Sequence, residues 1–320
     1  MSNYRIAANV EWTSKCNALC SMCPRDAIEK PQAMSMDTWQ KTLARLTTED
    51  VFRTVIAGYG EPTTHSRFHE FVDTLRAHPG KFDMVSNGHQ LDGQAIRHLD
   101  GAIGILIVSF SSIDPEVYKK VHVNLDQARV MANIQLAQQL FKKTVLAISL
   151  TPLPECLPSL PDTIAWLRAQ GVQALTMSPT LYNRGGSLET PELDNSHLRR
   201  LIKQHGLLSQ EQDFIPSARE MMQQWMGNRF KCVPRNTDIM IGANGDYLYC
   251  YNDARHANVL GNVADTSIRE AIEKREEMDA IPSLCDACST RNFGLTEVAK
   301  SALIYGKSRI KSALQARAAA

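Results

Sequence analysis

Residues 15–25 read KCNALCSMCPR and place Cys16, Cys20 and Cys23 in the spacing Cys-x3-Cys-x2-Cys. The run before them, Ile6 to Glu11, has the composition of a strand, so the three thiols stand on a short loop directly after a first strand. Three thiolates on one loop can hold three irons of a cubane cluster. The fourth iron then has no protein ligand, which is the condition for a cluster that binds and reduces a small molecule directly. A structural zinc site wants four closed ligands, and no His or Cys follows nearby to supply the fourth. A chance cluster of buried cysteines is the bland alternative.

Outward from this loop, short β-rich runs alternate with amphipathic stretches as far as about residue 190. Strands are expected at Ile6 to Glu11, Thr54 to Ala57, Phe82 to Ser86, Ile103 to Phe110, Thr144 to Leu150 and Ala174 to Pro179. Helices are expected at Met36 to Leu46, His65 to Ala77, Gln90 to Leu99, Leu125 to Phe141 and Leu160 to Gln170. Repeated strand and helix implies a parallel sheet with helices outside, and about six repeats favour an α/β partial (β/α)6 barrel over a closed eight-stranded one. The strands end in polar, Gly or Pro-rich loops: GYGEP at 58–62, SNG at 86–88, SFSSID at 109–114, TPLPEC at 151–156 and TLYNRGG at 180–186. In parallel α/β folds such loops carry the ligands, although any one of them alone reads as an ordinary turn.

The chain has 320 residues, with 35 Lys+Arg against 34 Asp+Glu and a net charge of +1. That balance argues against a dominant nucleic-acid surface or a polybasic membrane arm. The longest apolar run, Ala102 to Phe110, is less than half of a bilayer span, and the first residues lack the order of a signal peptide. A cytoplasmic protein is expected, with no membrane and no nucleic-acid partner. Its eight cysteines then point to metal or redox chemistry rather than disulfides. Seven fall into two groups, and Cys156 stands alone between them.

The second group, Cys232, Cys250, Cys285 and Cys288, supplies four thiolates, the number that closes either a 4Fe-4S cluster or a tetrahedral zinc site. DIMIGANGDYLYCYND has two β-like runs about a Gly-Asp turn that read as a hairpin, which Cys232 and Cys250 bracket, and a charged helix follows from Ser267 to Met278. The expected division is a barrel at 1–190, a helical connector at 191–229 and a cluster-binding unit with a C-terminal helix at 230–320. The basic tail beyond Lys300 reads as a solvated helix, with phosphate or an acidic partner as the alternative.

The Cys16, Cys20 and Cys23 spacing after a first strand resembles the radical S-adenosylmethionine (SAM) enzymes, and the resemblance extends over most of the chain. It implies that the open iron is chelated by SAM and that one electron cleaves SAM to methionine and a 5'-deoxyadenosyl radical. Met22 occupies the position where relatives set a bulky residue against the adenine. Gly60 and Glu61 look like the family's Gly-Gly-Glu element for the SAM ammonium, with Tyr59 replacing its first glycine. Ser86, Asn87 and Ser109 look like the polar residues that meet ribose and carboxylate. Many relatives carry an arginine after the fourth strand where this chain reads YKKVHV, leaving Lys120 or His122 as substitutes. Asn183 and Arg184, with Gly185 and Gly186, resemble an element at the barrel mouth, where Arg184 would orient substrate. The four later cysteines resemble the shortened "Twitch" form of the SPASM domain, implying an auxiliary 4Fe-4S cluster; a zinc ribbon is the structural alternative.

Two 4Fe-4S clusters and SAM are therefore the implied cofactors, with an electron donor such as flavodoxin or ferredoxin. The cluster loop begins at residue 16, which leaves no room for a preceding leader-peptide module. GTP-cyclising relatives end in Gly-Gly and use three cysteines on the second cluster, whereas this chain ends in ARAAA and offers four. A small polar metabolite, of sugar or aminocyclitol class, is the expected substrate, and oxidation of its secondary alcohol the expected reaction. A carbon radical beside oxygen is a strong reductant, and an auxiliary cluster nearby would accept its electron. The alternatives are radical epimerisation with Cys156 as hydrogen donor, and a non-catalytic iron-sulfur partner protein.

Overall fold

The computed structural model describes residues 6–178, 195–209 and 238–285. Strands β1 (Ile6–Val10), β2 (Val51–Ile56), β3 (Phe82–Ser86), β4 (Ile105–Ser109), β5 (Val145–Leu150) and β6 (Ala174–Met177) lie side by side in chain order, each parallel to the next. Parallel neighbours need a crossover. It is supplied by α1 (Met36–Arg45), α2 (Phe68–Ala77), α3 (Gly93–Leu99), then α4 (Pro115–Val121) with α5 (Gln127–Leu140), and α6 (Leu160–Ala169). This is the expected six-stranded partial barrel. All six strands stand within a few residues of their sequence positions.

Local chemistry sets the helix starts. Ser35, Asp92, Asp114 and Asp126 each accept a backbone N–H of the first turn of α1, α3, α4 and α5 respectively, caps worth about 1 kcal/mol each. Helix α4 lies outside the periodic stretches read from sequence. Its seven residues are too few for a hydrophobic period, and the Asp114–Pro115 start is its signal.

Strand alternation separates two faces. Leu106, Val108, Leu146, Ile148, Leu175 and Met177 are buried under the helices. The opposite, concave face carries Asn9, Val55, Val85, Ile107, Ser109, Ser149 and Thr176, all half-buried. Behind β1, Trp12 packs edge-on against Trp39, Phe68 and Phe71 at centroid distances of 5.5, 6.2 and 5.2 Å. This aromatic wedge fixes the exit of β1, from which the cysteine loop leaves.

Beyond β6, α7 (Asn195–His205) leads to the two-residue β7 (Leu208–Ser209), which adds to the β6 edge. The expected hairpin is present as β8 (Asp238–Ile241) and β9 (Asp246–Leu248), with Gly245 at φ +86° in its turn and β10 (Val259–Asn262) added outside. Strand β8 runs parallel to β1, so the hairpin continues the barrel sheet instead of starting a sheet of its own. Helix α8 (Ile268–Glu277), with a Ser267–Glu270 capping box, and the short α9 (Pro282–Cys285) follow. The boundaries expected at 190 and 229 fall outside the described residues. Among the described residues no helix is long and apolar enough to cross a membrane.

Candidate metal centre and cofactor site

The chain leaving β1 folds back on itself: Met34 N–H donates to the Trp12 carbonyl and Ser14 N–H to that of Gln32. Within this loop Cys16, Cys20 and Cys23 are partly exposed thiols, none in a disulfide. The Cys16 sulfur accepts the Ala18 N–H at 3.4 Å, and Cys23 N–H donates to the Cys20 carbonyl at 3.0 Å. Burial pushes the Cys16 thiol up from its ordinary value, with the Ala18 amide acting in the opposite direction. Among the described residues no three His, Cys, Asp or Glu side chains converge as a single metal ion needs. A cubane makes no such demand, since each thiolate takes a different iron, and the donor set fits a 4Fe-4S cluster.

The loop after β2 is pressed against this one. A Cβ on Gly60 would lie 2.2 Å from the Thr13 carbonyl oxygen and 2.4 Å from that of Lys15, so only glycine fits. Glu61 N–H donates to the Lys15 carbonyl at 2.9 Å. The Glu61 carboxylate is buried and already engaged: Oε1 accepts from Thr63 N–H, Thr63 Oγ1 and Ser86 Oγ, and Oε2 from Asn87 N–H at 2.6 Å. Three donors converge on Oε1, and Oε2, with one, keeps an acceptor position open. This side chain ties the β2 loop to the β3 loop. Burial raises its pKa, and its hydrogen bonds oppose that rise.

Ser86 is likewise buried and donates to Glu61. Asn87 stands beside the cysteines, its Nδ2 at 2.8 Å from Asn17 Oδ1 and 4.0 Å from Cys16 Sγ. Ser109 is half-buried on the concave face. Tyr59 sends its ring away from the cysteine loop: its hydroxyl donates to the Tyr251 carbonyl and the ring faces His256. Met22 packs on a satellite apolar cluster of Val121, Leu153 and Cys156. Cys156 is 1% exposed there, and burial pushes its thiol up to about 12, so it is protonated at neutral pH.

Of the two candidates to replace the arginine, Lys120 has a largely exposed side chain 4.0 Å from Glu155. His122 is 1% exposed and faces Cys20, so it is not presented to a ligand carboxylate, and burial lowers its pKa to about 4. Asn183, Arg184, Cys232 and Cys288 lie outside the described residues. Cys250 is partly buried after β9 and Cys285 buried at the end of α9. Tyr249 links their surroundings, its hydroxyl donating to the Asp279 carbonyl and its own carbonyl accepting from Arg275.

Sequence reasoning missed Glu11. Its buried Oε2 accepts the Tyr59 N–H at 2.7 Å, and a Cβ on Gly58 would lie 2.5 Å from that oxygen. A lone acid closing a buried strand next to Trp12 was the available signal. Burial raises the Glu11 pKa from 4.5 to about 7, and that of buried Asp238, paired with Asn9, from 3.8 to about 7. Folded pKa values above the unfolded ones give stability that is complete below about pH 4 and lost as pH rises through 7, at about 1.4 kcal/mol per unit of separation. The denaturant midpoint of Glu11→Gln, Asp238→Asn protein is therefore expected to fall less between pH 5 and pH 8 than that of the parent. Equal slopes would contradict this assignment.

Fold and loop together define a partial-barrel protein built to carry an open iron-sulfur cluster. Residues 10–166 match the Radical SAM superfamily, so this stretch of the chain is a radical SAM domain. It is 26% identical over 143 residues to the probable GTP 3',8-cyclase of Methanocaldococcus jannaschii, across 44% of this chain and 45% of that protein. The match thus spans less than half of that relative. Streptococcus suis SuiB bound to its precursor peptide SuiA superposes with TM-score 0.66 at 13% identity, covering 86% of this chain and 65% of SuiB. BtrN in complex with AdoMet and 2-DOIA gives TM-score 0.50 at 17% identity, covering 86% and 85%. At such identities these two structures establish the fold.

Proposed function

We propose that the protein generates a 5'-deoxyadenosyl radical to take a hydrogen atom from a small polar metabolite, and that it oxidises a secondary alcohol of a sugar or aminocyclitol to a ketone. The observation that carries this reading is a row of hydroxyls. Ser109, Ser149 and Thr176 stand in register on adjacent strands β4, β5 and β6, half-buried on the concave face at the ligand-bearing end. Small hydroxyl side chains at one level suit a compact polyhydroxylated molecule, which exchanges hydrogen bonds with them. The small-molecule complex of BtrN supports the same substrate class.

Bound at the Cys16, Cys20 and Cys23 loop, a 4Fe-4S cluster and SAM supply the radical. The chain's own part is to hold the loops. Gly60 lets the β2 loop lie on the cysteine loop, Glu61 ties it to β3, and Asn87 meets Asn17 beside Cys16. The net reaction balances: the alcohol loses two hydrogens, and SAM is reduced to methionine and 5'-deoxyadenosine with release of a proton. In this reading Cys232, Cys250, Cys285 and Cys288 hold an auxiliary 4Fe-4S cluster in a Twitch-like unit within residues 230–320, Asn183 serves the cofactor and Arg184 orients the substrate. A flavodoxin or ferredoxin is the proposed donor. Similarity to a GTP cyclase covers 44% of this chain and leaves the substrate open.

The test is anaerobic turnover with SAM, a reductant and a panel of aminocyclitols and amino sugars in deuterated water. The expected product is lighter than its substrate by two hydrogens, carries no solvent deuterium at carbon, and still forms in Cys156→Ala protein. A product of unchanged oxidation state that gains deuterium and needs Cys156 would replace the dehydrogenase with the epimerase.

A further inference from the structure

Cys20 and His122 are opposite each other by backbone pairing. Leu19 N–H donates to the Val123 carbonyl at 2.9 Å and Ser21 N–H to the Val121 carbonyl at 3.0 Å, an antiparallel register that sets residue 20 against residue 122. Helix α4 delivers this segment, and His122 is its C-terminal cap. The imidazole is held on all sides. Its Nδ1 lies 3.6 Å from Cys20 Sγ, its Nε2 lies 3.0 Å from Ser111 Oγ, and the Tyr118 ring packs on it at 4.7 Å. Ser111 Oγ in turn accepts the Thr151 N–H at 3.4 Å.

The proton positions follow from these partners. A cysteine that ligates iron is a thiolate and has no hydrogen to give, so the ring nitrogen facing it must be the donor. A neutral ring then has an acceptor at Nε2. Ser111, receiving the Thr151 amide on its oxygen, has its hydroxyl hydrogen free for that nitrogen. The chain Thr151 N–H to Ser111 O–H to His122 Nδ1–H to Cys20 is complete and points one way.

We propose that His122 is a positioning and tuning residue of the radical cluster, donating a hydrogen bond from Nδ1 to the Cys20 thiolate. Hydrogen bonds to cluster sulfurs favour the more negative, reduced state and raise the potential. His122 therefore eases reduction of the cluster by an external donor. The inference rests on the radical SAM site, and iron content measured on the same samples separates failure of that site from failure of this bond.

The experiment is an EPR-monitored redox titration of the fully reconstituted protein, following the signal that responds to SAM. In His122→Leu that cluster is expected to titrate at a more negative potential with iron content unchanged. His122→Asn sets an amide N–H near the place of Nδ1 and is expected to restore the parent potential, whereas His122→Gln sets it near the place of Nε2 and is expected to behave like the leucine variant. A purely packing role would not separate Asn from Gln, so that comparison decides even if the leucine protein fails to load iron. Parent potential in the leucine variant, or equal potentials for Asn and Gln, would overturn the proposal.

Discussion

Alanine at positions 16, 20 and 23 together abolishes SAM cleavage and lowers the iron of the anaerobically reconstituted protein from about eight atoms per chain to about four. The loss is expected to be complete because the three thiols are the donors of one loop, and each would hold a different iron. Among the described residues no neighbouring group replaces them: Asn17 and Asn87 are amides engaged with each other, and His122 is buried behind Cys20. The remaining iron belongs to the proposed cluster of Cys232, Cys250, Cys285 and Cys288. Iron and acid-labile sulfide analysis with chromatographic detection of 5'-deoxyadenosine checks both parts. Zinc with only one cluster's worth of iron in the parent protein would remove the auxiliary cluster from the account.

Gly60→Ala is the second change with a large expected effect. The new methyl group would meet the Thr13 and Lys15 carbonyl oxygens at 2.2 and 2.4 Å, and both belong to backbone. A flexible side chain could swing aside, but here one of the two loops must move. The loop that moves is either the one bearing the cysteines or the one anchored by Glu61, whose amide donates to Lys15. Overpacking of this kind costs about 1–3 kcal/mol, and a comparable loss of SAM affinity is about tenfold or more. SAM cleavage should fall at least about tenfold while the iron content stays near that of the parent. Full activity in Gly60→Ala would show that the two loops do not need this contact.

The barrel was legible because its signals are local and repeated. Phe82–Ser86 alternates with loops and helices in a way that only a parallel sheet accommodates, and strands read from composition coincide with those observed to within a few residues. The cysteine loop was legible for another reason, since a thiol spacing is a chemical pattern that survives without any knowledge of the fold. What stayed hidden depends on pairing between distant segments. That β8 would lie parallel to β1 involves residues over two hundred positions apart and leaves no period in either strand. Glu61 and Ser86 were read as ligand contacts from the family resemblance of their loops. Only the packed structure shows that they satisfy each other. His122 was weighed as a substitute for an arginine by its place in YKKVHV, whereas the backbone register with Leu19 and Ser21 sets it against Cys20.

The central claim, an open cluster that takes SAM as a ligand, is tested most directly by the EPR spectrum of the reduced, fully reconstituted protein before and after SAM is added. The account predicts a changed spectrum that depends on Cys16, Cys20 and Cys23; an identical spectrum at saturating SAM, with the iron content intact, would contradict it.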